Sequence, residues 1–410
     1  MLVWIYIILI CYMPLLDSFL PRTSFGPGIP DLSFSRVFSY ITILAFILQC
    51  CITSSIKINI KWIGLLLLFS MIEIASITWS PLRLNLSIIQ SFFDIIFIPF
   101  CIALVAMNVF DEQKNTNKFI HHIVLVGAIL GMVSMFQFIR SVLAGMQAVR
   151  TTGTFENPNA LAIFLVLIIP AALLGIEKGT IEKKIGLISL ASIFSGIICT
   201  VSRKGLFTAA LTICIYLWLK KRYKILVLVA IFIGGFAVFS SSIGHISQRF
   251  EADSLESAID TKWNMVIAGL NMFKDSPIIG LGYEGYFENF SKYMPNPRYD
   301  KFDAHNIFIT VLANYGILGT IPFLWLFLYP LSVSIKVLRR IKPGHPMAYL
   351  RDNAIFCIAS VIPFLINGWF AGGLLRNTIT ISLLYSNIAV MVAVRLTAQE
   401  RRELTVEQKL

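Results

Sequence analysis

His305-Asn306 stands where a long hydrophilic stretch gives way to an apolar run. An imidazole titrates near neutral pH, so His305 is placed to act as a general base, although a lone His can equally be structural. Three arginines stand at similar boundaries. Arg150 precedes Thr151-Thr152-Gly153-Thr154-Phe155-Glu156-Asn157-Pro158-Asn159, which separates two hydrophobic runs. Arg203 lies in the short Ser202-Arg203-Lys204-Gly205 break, and Arg376 follows Gly372-Gly373. An ionisable group at membrane depth is costly unless it is paired or faces water, which makes each a functional candidate. The planar guanidinium fork suits a bidentate anion such as phosphate. The competing explanation is an interfacial arginine snorkelling to lipid headgroups.

Other chemistries find less support. His121 and His122 begin an apolar run, and neither they nor His245 and His345 have a second ligand at metal-binding spacing. The seven cysteines lie in apolar runs without metal spacing and read as small hydrophobes. Gly280-Leu281-Gly282-Tyr283-Glu284-Gly285 fits G-x-G-x-x-G, but no alternating strands flank it, so a turn is the better reading. There is no Walker A lysine and no G-x-S-x-G elbow.

These residues have to be held by a membrane bundle. Of 410 residues, 57% are hydrophobic and 14% charged, against about 25% charged in soluble domains. The net charge of +12 comes in short bursts such as Lys220-Lys221-Arg222-Tyr223-Lys224, a pattern of loops beside lipid headgroups and not of a nucleic-acid stripe. Twelve stretches are long and apolar enough to predict spans: 1–16, 36–53, 62–79, 87–110, 119–139, 159–176, 185–201, 205–219, 225–243, 317–335, 353–370 and 377–395. The first lacks a basic n-region and a small-residue cleavage site and reads as a retained helix. The 185–201 and 205–219 pair could be one broken helix.

With the N-terminus cytoplasmic, the inside segments hold 20 of the 34 Lys and Arg and the short outside loops hold eight. The positive-inside bias therefore predicts both termini in the cytoplasm, nine helices over 1–243, a large exterior segment at 244–305, three more helices over 306–395 and a cytoplasmic tail at 396–410. Within the exterior segment Ile259, Trp263, Val266, Ile267, Leu270 and Phe273 recur at helical spacing, which predicts an amphipathic helix lying on the membrane or on the bundle.

Taken in order, four pieces resemble the O-antigen ligase and O-antigen polymerase superfamily of bacterial membrane glycosyltransferases. They are Arg150 with Gly153-Thr154-Phe155-Glu156-Asn157-Pro158-Asn159-Ala160-Leu161-Ala162, then Ser202-Arg203-Lys204-Gly205, then Trp263 followed by Asp275-Ser276-Pro277-Ile278-Ile279-Gly280-Leu281-Gly282-Tyr283, then His305-Asn306. The last also fits the ligase-type pattern of His-Asn, nine residues and Gly-x-x-Gly, ending at Gly316 and Gly319.

The resemblance implies an all-α integral membrane enzyme of the kind grouped as GT-C, in the bacterial inner membrane. It implies an undecaprenyl-diphosphate-linked glycan donor, and as acceptor either a second lipid-linked repeat unit or lipid A–core. Such enzymes are thought to invert the anomeric centre without metal, and no cofactor is implied. Outside the inner membrane there is no ATP or nucleotide sugar, so the donor must carry the bond energy, and arginines can stabilise the leaving diphosphate. On this reading His305 deprotonates the acceptor hydroxyl, and Arg150 and Arg203, then Arg249 and Arg376, hold the donor diphosphate. Asn157, Asn159 and Asn306 either contact sugar and acceptor or shape the loops. The Gly-Thr-Phe-x-Asn-Pro-Asn block looks more like repeat-unit polymerases, with ligase as the alternative inside the superfamily. A chain-length regulator is a candidate further partner. A transporter of lipid-linked sugars is the alternative outside the class, but transporters usually show inverted repeats and paired broken helices, whereas these polar candidates gather at one face.

Overall fold

The computed structural model describes residues 1–16, 33–82, 86–146, 149–227, 252–294, 301–371 and 374–393. Every regular element among them is helical. In chain order they are α1 (Leu2–Leu16), α2 (Phe34–Thr53), α3 (Ile60–Trp79), α4 (Ile88–Val109), α5 (Gln113–Leu143), α6 (Pro158–Glu177), α7 (Lys183–Cys199), α8 (Arg203–Leu219), α9 (Ala252–Asp275), α10 (Gly285–Tyr293), α11 (Ile307–Arg340), α12 (Ala348–Gly368) and α13 (Thr378–Val392). Among the described residues seven helices, α2 to α6 with α11 and α12, are long and apolar enough to cross a membrane; α1 and α13 are shorter apolar helices. The chain is a helical, multi-pass membrane protein. Among the described residues, length and composition thus carry seven of the twelve expected crossings. The 225–243 stretch falls almost wholly, and Arg249 and the 396–410 tail entirely, outside the described residues.

A helix that is apolar all round belongs in the middle of a bundle. Such a helix is α6, whose run Ile163-Phe164-Leu165-Val166-Leu167-Ile168-Ile169 is buried throughout. It packs against α5, α7, α8, α12 and α13. Around it the helices alternate in direction. One end of the bundle gathers the C-terminal ends of α1, α3, α5, α7 and α12 with the N-terminal ends of α2, α4, α6, α8, α11 and α13. Side-chain ties record this: Thr154 donates to the Pro14 carbonyl at 2.7 Å, Lys204 to the Phe370 carbonyl at 3.3 Å and Thr378 to the Asp94 carbonyl at 2.7 Å. The opposite end carries the Lys57–Asp111 pair and the network of Lys178 and Lys220 with Asp352 and Glu177.

α11 begins ten residues before the expected 317–335 span and is broken at Gly316, whose φ of 57° and ψ of −157° are open only to glycine. A break frees backbone groups that cannot be left bare in an apolar setting. The segment after α9 takes them up. Leu281 and Gly282 donate to the carbonyls of Ala313 and Asn314 at 2.9 and 2.8 Å, while Ile317 and Leu318 donate to those of Pro277 and Ile278 at 2.9 and 3.0 Å. The glycine-rich motif is therefore a backbone seam, with Gly280 pressed on α11 and Gly282 on Ser80 of the turn after α3.

The expected amphipathic helix forms as α9, with a different buried face. Met265, Ala268 and Met272 are buried with Tyr286, Phe290 and Ile309, whereas Trp263 is 64% exposed and Ile267 and Leu270 face outward beside it. The reason is steric. Gly269 lies so close to Ile309 that a β-carbon would sit 2.2 Å from its side chain, so the face with small residues makes the contact. Among the described side chains of the expected stripe, Val266 alone packs on that cluster.

Candidate functional site

The first motif is a loop pinned at both ends. Gln137 of α5 donates to the Gly153 carbonyl at 2.8 Å and accepts from the Gly153 N–H at 2.9 Å. The Thr151 hydroxyl meets Ser134 at 2.5 Å, and the Phe155 ring packs on Phe164. The loop closes into α6 through Asn157, whose Oδ1 accepts from the Asn159 N–H at 2.8 Å, followed by Pro158 at the first helical position. That is a helix entry by side-chain cap and proline.

The second motif is another cap. Val201 takes a left-handed φ of 48°, and Ser202 Oγ accepts from the Gly205 N–H at 3.2 Å to start α8. Gly205 lets α8 approach α6: a β-carbon there would stand 2.7 Å from that of Ala162. This close approach joins the two motifs. Asn159 Oδ1 accepts from Arg150 Nη2 at 3.2 Å and from the Ser202 hydroxyl at 2.9 Å, and Arg150 Nε donates to the Thr200 carbonyl at 3.2 Å.

His305 sits one residue before the cap of α11. Asn306, 2% exposed, accepts from Phe308 and Ile309 N–H at 3.0 and 3.2 Å. His305 itself has a left-handed φ of 50°, uncommon outside glycine, and its ring stands edge-on to Phe302 at 5.3 Å between centroids. Burial holds the imidazole below its ordinary pKa; Asp303 pulls it up, and Lys204 and Lys262 push it further down.

Three cations face this histidine's surroundings. Arg203 and Lys204 form the first turn of α8. Lys262 of α9 lies over the Phe370 ring at 5.7 Å, and partial desolvation, then the Arg203 charge, keep its ammonium pKa low. Lys204 interacts electrostatically with Lys262, Arg150 and Asp303. The N-terminal ends of α6, α8 and α11 meet at the same place, and each carries a fractional positive charge. Cations and helix ends in this arrangement can attract an anion. Asp303 is the acidic counterweight.

Arg376 stands at the edge. It is ion-paired with Glu284 and lies over the Phe287 ring at 5.2 Å. Burial raises the Glu284 carboxyl, Arg376 lowers it, and Asp303 and Glu288 raise it again. The expected residues therefore divide. Arg150, Asn157, Asn159, Arg203, His305 and Asn306 gather at one end of the bundle; Arg376 borders them through Glu284; Arg249 lies outside the described residues. Asn157 and Asn306 spend their side-chain oxygens on helix caps. Lys204, Lys262, Asp303 and Glu284 were missed as site residues. Lys204 had a signal, being adjacent to Arg203. Lys262 had none, because charges in a long hydrophilic stretch read as solvated surface.

Residues 188–324 match the family model described as O-Antigen ligase. No curated protein matches the chain. The matched stretch holds Arg203, Lys204, Lys262, Glu284, His305 and the Gly316 break, with Arg150 and Asn159 before it and Arg376 after it. Over that segment, about a third of its length, the chain is similar to the O-antigen ligase family.

Proposed function

We propose that this protein polymerises undecaprenyl-diphosphate-linked repeat units into a surface polysaccharide, by glycosyl transfer on the exterior face of the bacterial inner membrane, with both termini in the cytoplasm. The observation that carries the reading is a partly buried His305 that interacts with Lys204 and Lys262, which in turn interact with Arg150 and Arg203, near three helix N-termini. A glycan leaving group that is a diphosphate gains negative charge as the glycosidic bond breaks. Preorganised cations in a partly water-excluded site stabilise that charge most when it develops. His305, kept neutral by burial and by the neighbouring ammonium groups, takes the proton of the acceptor hydroxyl as that oxygen attacks the anomeric carbon from the opposite face, inverting it. In this reading cations alone balance the diphosphate and no metal takes part. A chain-length regulator is a proposed partner.

The description of the matching family favours a second reading, ligation of the finished glycan to lipid A–core. Donor and charge stabilisation would be the same and only the acceptor would differ. Deleting the gene and resolving the surface glycan by gel separates the two. Loss of a polymerase leaves core bearing a single repeat; loss of a ligase leaves bare core while polymer accumulates on the carrier lipid. An unchanged glycan ladder overturns both.

A further inference from the structure

A cavity of about 220 Å³ lies between α1, α2, α4 and α13, at the same end of the bundle as His305. Its lining is mixed. Arg36, Asp94, Ser39, Thr378, Ser382 and Arg376 line it together with apolar residues that include Ile102 and Ile379. Arg36 meets Asp94 through a two-pronged contact, Nε to Oδ1 at 2.9 Å and Nη2 to Oδ2 at 2.6 Å. Both side chains are mostly buried, a costly arrangement within a membrane bundle.

The charge balance identifies the ligand class. Arg36 is neutralised by Asp94 and Arg376 by Glu284, so the cavity offers no net positive charge to a diphosphate. What it offers is a mixture of polar groups, hydroxyls and a carboxylate, among apolar side chains. A sugar ring has the complementary make-up, with hydroxyls at its edge and C–H groups on its face. The volume is below the roughly 300–1,000 Å³ of sites that enclose a drug-sized ligand, so it suits a single ring and not a whole repeat unit. The Arg376–Glu284 pair forms the boundary with the cationic site, since Glu284 interacts with Asp303 and Asp303 with His305.

We propose that this cavity binds the reacting sugar of the glycan acceptor, separately from the diphosphate of the donor, and presents its hydroxyl towards His305. The proposal rests on the glycosyl-transfer reading above. It divides the two substrates by charge: the anion goes to Arg150, Arg203, Lys204 and Lys262, and the neutral polyol to the Arg36–Asp94 side.

Two measurements test it. In the first, purified protein receives a polyprenyl-diphosphate trisaccharide capped at its terminal hydroxyl as donor and an uncapped trisaccharide on a phosphonate-linked carrier as acceptor. Ser382→Leu, which fills the cavity, and Asp94→Asn, which breaks its ion pair, should each raise the acceptor KM by about tenfold or more while the donor KM stays put. An unchanged acceptor KM in both variants, or a shift in donor KM instead, overturns the proposal. In the second, a photo-reactive amino acid replaces Ile379 in the otherwise intact protein, which is irradiated with the tritiated uncapped trisaccharide carrier. Capture should occur in wild-type background and persist in His305→Ala, and Ser382→Leu should abolish it. No capture, or capture of membrane phospholipid alone, overturns the site. Since this readout needs no turnover, capture without any transfer by the wild type would sink the proposed reaction and leave the sugar site standing.

Discussion

Arg150 and Ser202 share a single acceptor: both donate to Oδ1 of Asn159, at 3.2 and 2.9 Å. Two motifs about fifty residues apart are thereby locked together at the entry of the central helix. An arginine whose fork is fixed before substrate arrives loses less rotamer freedom on binding an anion.

Asn159→Ala should therefore lower polymer formation although Asn159 need touch no substrate. A hydrogen bond to a charged group is worth about 1.5–3 kcal/mol, so the loss is on the order of tenfold to a hundredfold in turnover. The split is diagnostic. As a positioning residue, Asn159→Ala should be partly offset by raised donor concentration, whereas Arg150→Ala should not be. Initial rates across donor concentration decide it, and a normal rate in Asn159→Ala would detach Arg150 from the site.

Arg203→Ala should abolish polymer, and Arg203→Lys should recover only part, because lysine keeps the charge and loses the fork. Lys262→Ala should weaken donor binding in the same direction but less, since Lys262 is the more exposed of the two. Glycan ladders at matched membrane levels check all three. Full activity in Arg203→Ala would return that residue to a lipid-facing role.

Much of this was legible in the sequence. Arg150, Arg203 and His305 stand out because a charge beside an apolar run is expensive. The helices α1 to α8 and α11 to α13 follow from apolar run length. What was not legible depends on contacts made across the chain. The Gly280 to Tyr283 segment reads as a turn, and its pairing with α11 shows only once the break at Gly316 leaves carbonyls for its N–H groups. The outward face of Trp263 could not be read from periodicity, because Gly269 and Ala268 decide which side of α9 fits against α11. The Glu284–Arg376 pair joins residues 92 positions apart.

That pair yields a test of its own. Arg376→Ala leaves the Glu284 carboxylate partly buried without its partner, whereas Arg376→Ala with Glu284→Gln removes the stranded charge. If the arginine serves the fold alone, the double variant should recover the activity that the single one loses; if it binds the donor, the double should stay impaired. We expect partial recovery, with the interaction term of the mutant cycle on the order of 0.5–3 kcal/mol. Additive effects would mean that the pair has no role in shaping the site.

The proposed sidedness can be tested at the two ends of the bundle. Lys274 is exposed in the segment assigned to the exterior, and Arg222 lies at the opposite end near Glu177. With the other cysteines replaced by serine, Lys274→Cys should react with an impermeant maleimide in intact spheroplasts and Arg222→Cys only after lysis. The reverse pattern would put His305 in the cytoplasm and remove the case for a donor activated in advance.

The last prediction concerns His305 and pH. As a base it must be neutral, and burial with Lys204 and Lys262 nearby lowers its pKa below the ordinary value of about 6.5. At pH 7 the free imidazole then dominates, and the rate should fall only as pH drops below 6.5, through the lowered pKa. Removing Lys262 by Lys262→Gln takes away one of the charges that depress it, so the acid limb of the profile should move to higher pH. His305→Ala should cut turnover by about 10²- to 10⁴-fold with donor binding intact. His305→Gln should not restore it, because an amide donates and accepts hydrogen bonds but takes no proton at neutral pH. Rates with synthetic donor, measured from pH 5 to 8 in the presence of EDTA, read all of these at once. Activity in His305→Gln would make the histidine a positioning group for the acceptor, and loss of activity in EDTA that a divalent ion restores would replace the cationic mechanism with a metal-assisted one.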